Sequence, residues 1–247
     1  PALMANSMAI LAALETEGIN IKSYDFVAGH SLGEYSALCA AKAISLGDSA
    51  KLLRRRGIAM QSCVKAGEGT MAAILGLSAN QITEVLNEFE GPGICQIAND
   101  NDPNQVVISG HCIAVSEVIE LAKKKGARRA LPLNVSAPFH CKLMNNATEI
   151  MKKEIEKVNF RDSKNILISN VTADEISNKD ELKELLISQI ESRVRWRESI
   201  VNMIDKDVNH FIEIGPGKVL SGLVKRINKN VKINTINCQD DIKNLNI

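Results

Sequence analysis

Residues 25–41 read DFVAGHSLGEYSALCAA, with Ser31 between Gly29 and Gly33. Phe26, Val27 and Ala28 form a short apolar run that predicts a buried strand. Leu32, Tyr35, Ser36, Leu38 and Cys39 recur at helical spacing. A turn from strand to helix this sharp requires residues without bulk, which is expected of both Gly29 and Gly33. Such a turn lifts the Ser31 hydroxyl into the open, above the first unpaired N–H groups of a helix, where developing negative charge is stabilised. Serine is also a favoured helix N-cap. Two readings follow for Ser31, a nucleophile or a cap.

Working outward, the chain alternates strand and helix patterns. PALMANSMAILAALETEG at the start is an amphipathic helix without a basic leader, and an α/β chain that opens inside a helix is expected to have a segment upstream. A second helix starts at Leu46-Gly47-Asp48; arginines at 54, 55 and 56 cannot share one face, so at least one turns inward. From residue 70 the order becomes β-α-β-β-α-β: TMAAILGL, SANQITEVLNEF, GICQIAND, NQVVISG, HCIAVSEVIELAKKKG and RRALPLNV. That is the split βαβ order of a ferredoxin-like unit, expected as an insertion over residues 68–134. The rhythm then resumes with strands NILISN, HFIEIG and VKINTIN between helices, predicting a mostly parallel sheet covered on both faces. The core is thus expected over 1–67 and 135–247. A ligand crevice belongs at the carboxyl ends of its strands, where Ser31, Asn170 and Gly215 fall.

Composition narrows the function. The 247 residues carry a net charge of +1, and 3% are aromatic, so neither a polyanion-binding surface nor a base-stacking platform is expected, and no nucleic acid. No apolar run approaches the ~20 residues of a membrane span. The six cysteines, Cys39, Cys63, Cys95, Cys112, Cys141 and Cys238, include no CxxC pair and read as reduced, mostly packing residues of a cytoplasmic protein. The four histidines lie far apart, so no metal site is expected.

A serine nucleophile needs a base within hydrogen-bond reach. His30 precedes Ser31 on the turn and would point away; His111 begins a helix of the insertion, and His210 begins an apolar strand. His140, in NVSAPFHCKLM, follows the chain break at Pro138 and falls on the junction between the two units, where clefts form. A structural role for it stays open.

Five segments, GHSLGEYSAL, RRRGIAMQ, QVVISG, APFHCKLM and EIGPGKVLSGL, occur in the order and at the spacings found in malonyl-CoA:acyl-carrier-protein transacylases of fatty-acid synthesis, which the sequence resembles nearly from end to end. The resemblance implies an α/β-hydrolase-like core with a ferredoxin-like insertion. It implies that Ser31 accepts the acyl group, that His140 is base and acid, and that the Leu32 N–H supplies half of an oxyanion hole. Arg56 would grip the malonyl carboxylate, and the Gln189 backbone carbonyl would orient the histidine. Asn99 and Asn101 would line the pocket. The family's opening strand and Gly-Gln-Gly-type loop, which complete the oxyanion hole, have no counterpart here. Malonyl-CoA and an acyl carrier protein are the implied partners, the protein is expected to be a monomer, and no cofactor is implied.

Blander readings accompany each assignment: Arg56 as a solvated helix arginine, Asn99 and Asn101 as turn formers, Gln189 as an exposed helix residue. Phe139 beside the base would restrict branching of the acyl group. Carrier docking falls to Lys123–Arg129, or to Lys218, Lys225 and Arg226. A serine esterase or thioesterase is the rival enzyme, with Asp100 or Asp102 on the insertion loop as its acid; a catalytically silent carrier-binding protein is the rival outside catalysis.

Overall fold

The computed structural model describes residues 1–245; positions 246 and 247 of the expected second core segment lie outside the described residues. The chain runs α1 (Ala2–Thr16), β1 (Phe26–Ala28), α2 (Leu32–Ala40), α3 (Leu46–Ser62), β2 (Gly69–Leu75), α4 (Ala79–Asn87), β3 (Cys95–Asp102), β4 (Gln105–His111) and α5 (Cys112–Lys124). It continues through β5 (Arg129–Pro132), α6 (Asn145–Glu156), β6 (Ile166–Ile168), β7 (Glu175–Ile176), α7 (Lys179–Ser188), α8 (Trp196–Asp205), β8 (His210–Ile214), α9 (Val219–Ile227), β9 (Lys232–Ile236) and α10 (Gln239–Lys243). Helix α6 was not anticipated, although Ala147, Met151 and Ile155 recur every four residues and bury its inner face.

β1 pairs in parallel with β6, Val27 opposite Leu167, and β7 adds antiparallel to β6. Strand alternation sends neighbouring side chains to opposite faces. Val27 and Leu167 enter the core built by Tyr35, Leu38, Leu52, Met151 and Leu186, whereas Phe26, Ala28 and Ile168 pack on Trp196, Ile200 and Leu223. Helices therefore cover both faces, as the alternating pattern requires.

The parallel part is not one sheet. β8 and β9 form a separate parallel pair, and no ladder joins it to β1-β6-β7 among the described residues. Both β1 and β8 are consequently edge strands, and all their residues stay half-buried instead of reaching the burial of a central parallel strand. α1 and α10 cover one face of the pair through Ile10, Leu14 and Ile242 against Ile212, Ile214 and Ile236.

The middle of the chain forms an antiparallel sheet of order β3-β4-β2-β5. Ile74, Val106 and Ile108 bury one face of it under Ile82 and Val85 of α4 and Val115 and Val118 of α5. β3 continues through Asn101 and Asp102, two residues beyond the strand read from the sequence, and β5 ends at Pro132, short of Val135. The extension follows from pairing on both sides of β3: Asp102 meets Gln105 in β4, while Val194 exchanges hydrogen bonds with Ala98 and Asp100. No helix among the described residues is long and apolar enough to cross a membrane.

Candidate active site

Ser31 sits between β1 and α2 with φ 53° and ψ −108°, a backbone conformation that L-residues rarely adopt. Gly29 is what allows it. A Cβ there would lie 2.0 Å from the Gly33 carbonyl oxygen. Gly33, expected to be equally restricted, is not: a Cβ on it meets nothing within 4 Å, because the tight approach involves its backbone. The cap reading of Ser31 fails as well, since its side chain makes no capping hydrogen bond to α2.

The hydroxyl is engaged elsewhere. Ser31 Oγ lies 2.7 Å from His140 Nε2, and His140 Nδ1 lies 2.9 Å from the backbone oxygen of Gln189. A carbonyl only accepts, so Nδ1 carries the proton and Nε2 presents a lone pair to the serine. His140 occupies the loop after Pro138 with φ 58°. Burial, reinforced by the Arg56 charge, pulls its pKa down to about 3, leaving a neutral imidazole at neutral pH.

Of the three adjacent arginines, Arg54 and Arg55 are exposed and Arg56 is buried, on the inner face of α3. Its Nη2 donates to Ser31 Oγ at 2.9 Å and to Gln189 Oε1 at 3.1 Å. Nε is buried and has no hydrogen-bond partner among the described residues. Gln189, at the C-terminal end of α7, is fully buried, which removes its reading as an exposed helix residue. Its Nε2 donates to the Ser31 carbonyl at 2.9 Å and to Glu34 Oε2.

Two further residues build this site: Asn170, which the sequence places at the crevice without a role, and Glu34, which it does not single out. Asn170, just beyond β6, accepts from the Ser31 N–H through Oδ1 and donates to the Gly29 carbonyl through Nδ2, each at 2.7 Å. Glu34, buried in the first turn of α2, accepts from the Asn170 N–H at 3.4 Å. A faint signal existed for each: Asn170 closes a strand parallel to the one Ser31 closes, and Glu34 stands three residues after Ser31 at capping-box spacing, although it turns inward instead.

The Leu32 N–H opens α2 and has no partner among the hydrogen bonds of the described residues. Asn101 bonds His30 Nε2 at 2.8 Å, so His30 does face away from the Ser31 hydroxyl, toward β3 and Trp196. Asn99 is held in β3 by its bridge to Val194. Both asparagines are buried strand residues rather than turn formers, and neither bonds Ser31, Arg56 or His140 among the described residues. Asp100 and Asp102, expected on a loop, are also in β3; Asp100 receives a two-pronged bond from Arg197 and Asp102 one from Arg226. Both carboxylates thereby tie β3 to α8 and α9, far from the role of a triad acid. His111 accepts from the Ile94 N–H, and His210 bonds Asn234.

A cleft of about 450 Å³ opens onto His140 between α4 and β3 on one side and residues 191–195 on the other, with Leu86, Gln96 and Ser192 in its walls. Phe139, next to His140 in the chain, is half-buried against Met71, Ala73 and Ala98 and is not among the residues lining the cleft. All six cysteines are free; Cys39 and Cys141 are buried and Cys63 and Cys95 pack half-buried against core clusters, so packing accounts for four of them, while Cys112 is half-buried and Cys238 exposed. No group of three or more potential ligands among the described residues could hold a metal ion.

The turn thus brings a serine hydroxyl within hydrogen-bond reach of a neutral imidazole whose other nitrogen is held by a backbone carbonyl, the geometry that activation of a serine nucleophile requires. Residues 1–244 match the family model described as the acyl transferase domain. A malonyl CoA-acyl carrier protein transacylase from Bacillus subtilis (strain 168) is 48% identical over 233 residues, which cover 94% of this chain and 73% of that protein. The crystal structure of an acyl-carrier-protein-S-malonyltransferase from Bartonella henselae superimposes with a TM-score of 0.95 at 48% identity, covering 98% of this chain and 77% of that one. A malonyl-transacylase in complex with a type II PKS acyl-carrier protein aligns with a TM-score of 0.93 at 35% identity, over 97% of this chain and 77% of that one. On this likeness over nearly its whole length, the chain belongs to the acyl transferase family and, within it, to the malonyl CoA-acyl carrier protein transacylases.

Proposed function

We propose that this chain moves a malonyl group from coenzyme A to the phosphopantetheine thiol of an acyl carrier protein through an ester on Ser31. The observation that carries the chemistry is the bond between Ser31 Oγ and His140 Nε2 at 2.7 Å, with the histidine tautomer set by Gln189 O. His140 takes the hydroxyl proton as Ser31 Oγ attacks the thioester carbonyl. The oxyanion forms against the Leu32 N–H, and its collapse expels coenzyme A thiolate, which takes the proton from His140. The carrier thiol then gives its proton to His140 and attacks the Ser31 ester; the departing serine oxygen recovers that proton.

Arg56 supports a carboxylated acyl group. Its described hydrogen bonds go to a hydroxyl and an amide, not to a carboxylate, and a buried guanidinium favours a bidentate anionic partner. A carboxylate bound there also neutralises the charge that helps depress His140, so the correct substrate strengthens its own base.

We read residues 1–67 and 135–247 as an α/β-hydrolase-like core and 68–134 as a ferredoxin-like insertion. The antiparallel order β3-β4-β2-β5 with both helices on one face supports the second assignment. Asn99 and Asn101 then belong to the insertion's side of the pocket. Six free cysteines fit a reducing, cytoplasmic setting. For carrier docking, Lys123 and Lys125 are paired with Glu120 and Glu88, and Arg226 with Asp102, which leaves Lys124, Arg128 and Arg129 as the freer cations of the first patch.

Brief exposure to malonyl-CoA followed by intact-protein mass spectrometry tests the reading. A malonyl adduct is expected, is lost in Ser31→Ala, and is passed on to a carrier thiol in preference to water. Rapid loss of the adduct to water alone would favour a thioesterase, and no adduct at all a silent carrier-binding protein.

A further inference from the structure

The Gln189 side chain is fully buried and has two amide orientations, which exchange Oε1 and Nε2. Three neighbours decide between them. The Ser31 carbonyl and Oε2 of the ionised Glu34 are acceptors, and Arg56 Nη2 is a donor. Only one orientation satisfies all three, with Nε2 toward Ser31 and Glu34 and Oε1 toward Arg56. Reversing the amide would set its N–H groups against the guanidinium and its oxygen against two acceptors, a penalty that burial magnifies. Glu34 also reaches the other support of the turn, since Oε1 accepts from the N–H of Asn170.

We propose that Glu34 is a positioning residue for acyl selection: by accepting from Gln189 Nε2 it fixes the amide with Oε1 toward Arg56, and so sets the guanidinium that receives the acyl carboxylate. The proposal rests on the reading of Arg56 given above. Glu34 touches neither Ser31 Oγ nor the histidine and acts through Gln189. A glutamine at position 34 would keep the size but offer one oxygen to two donors, the N–H of Asn170 and Nε2 of Gln189.

The test is single-turnover acylation of Ser31 by malonyl-CoA and by acetyl-CoA, followed by intact mass, in the chain carrying Glu34→Gln, Gln189→Met, both together, or Arg56→Ala. Gln189→Met keeps the backbone carbonyl that holds His140 and removes the amide. Glu34→Gln is expected to slow malonyl acylation roughly tenfold, with a smaller effect on acetyl. Gln189→Met should show the same change in the malonyl-to-acetyl ratio, and Glu34→Gln should add nothing in that background. A Glu34 that only supports the fold would slow both acyl groups equally, and that result overturns the proposal. So does an unchanged ratio in Gln189→Met, which decides the matter even if Glu34→Gln does not fold. Arg56→Ala separates the two readings. If it leaves the ratio unchanged, the carboxylate role of Arg56 falls, and Glu34 is judged on rate alone: independent, multiplying effects of Glu34→Gln and Gln189→Met reject its action through the amide, and non-additive effects uphold it.

Discussion

Asn170 holds the turn that carries Ser31 at both ends, accepting from the Ser31 N–H and donating to the Gly29 carbonyl at 2.7 Å each. The two bonds span the residue whose φ of 53° is unfavourable for a side-chain-bearing residue. A single asparagine beyond β6 thus satisfies one donor and one acceptor that the turn itself cannot pair.

Asn170→Ala should therefore lower stability by ~1–3 kcal/mol, the cost of leaving buried polar groups unpaired, and should slow Ser31 acylation. Asn170→Asp keeps the acceptor and loses the donor, so it should fall between alanine and the parent in urea denaturation. An alanine variant with parental stability and acylation rate would show that the turn supports itself.

The two glycines flanking Ser31 should respond in opposite ways. Gly29→Ala puts a methyl group 2.0 Å from the Gly33 carbonyl oxygen and must displace backbone, so the variant is expected to fold poorly or with a distorted turn. Gly33→Ala meets nothing within 4 Å inside α2, and there alanine is favoured over glycine by ~0.5–1 kcal/mol. Thermal unfolding of both variants checks the pair. Equal destabilisation would contradict the asymmetry.

Arg56→Ala should penalise malonyl far more than acetyl, because only the malonyl group leaves a buried carboxylate unpaired, at a cost of ~3–5 kcal/mol where a buried pair is broken. Initial acylation rates with the two thioesters measure it. An equal loss on both would reduce Arg56 to a support for Ser31 and Gln189.

Stability and pH connect His140 with Glu34. His140 drops from an ordinary 6.5 to about 3, through burial and the Arg56 charge. Between those values the unfolded chain binds the proton and the native chain does not, so native stability rises with pH. Burial lifts Glu34 from 4.5 to about 7. There the native chain binds the proton, so stability falls as pH rises. From 4.5 to 6.5 the two contributions oppose each other. Glu34→Gln removes one of them, and the variant should lose stability relative to the parent protein as the pH is lowered through that window. Urea denaturation at several pH values gives the difference; parallel curves would mean that Glu34 titrates normally.

Local patterns carried the reading of the turn, the β-α-β-β-α-β order and the inward arginine, because each depends on spacing within a few residues. Apolar periodicity showed that helices cover both faces of the strands, and Gly29 and Ser31 announced the sharp turn. Spacing could not show that β8-β9 stands apart from β1-β6-β7, nor that β3 runs on to Asp102, since both depend on which distant segment offers a hydrogen-bonding edge. The same limit applied to the site. The junction after Pro138 drew attention to His140, and the resemblance to a family to Arg56 and Gln189, but bonds spanning 109 and 158 residues of chain, from Ser31 to His140 and to Gln189, exist only after folding. Glu34 looked ordinary because a first-turn acid usually faces solvent, and Asn170 was legible only as a residue at the crevice, with no partner named. Here tertiary packing buried both, and a buried polar group must find its partner wherever the fold provides one.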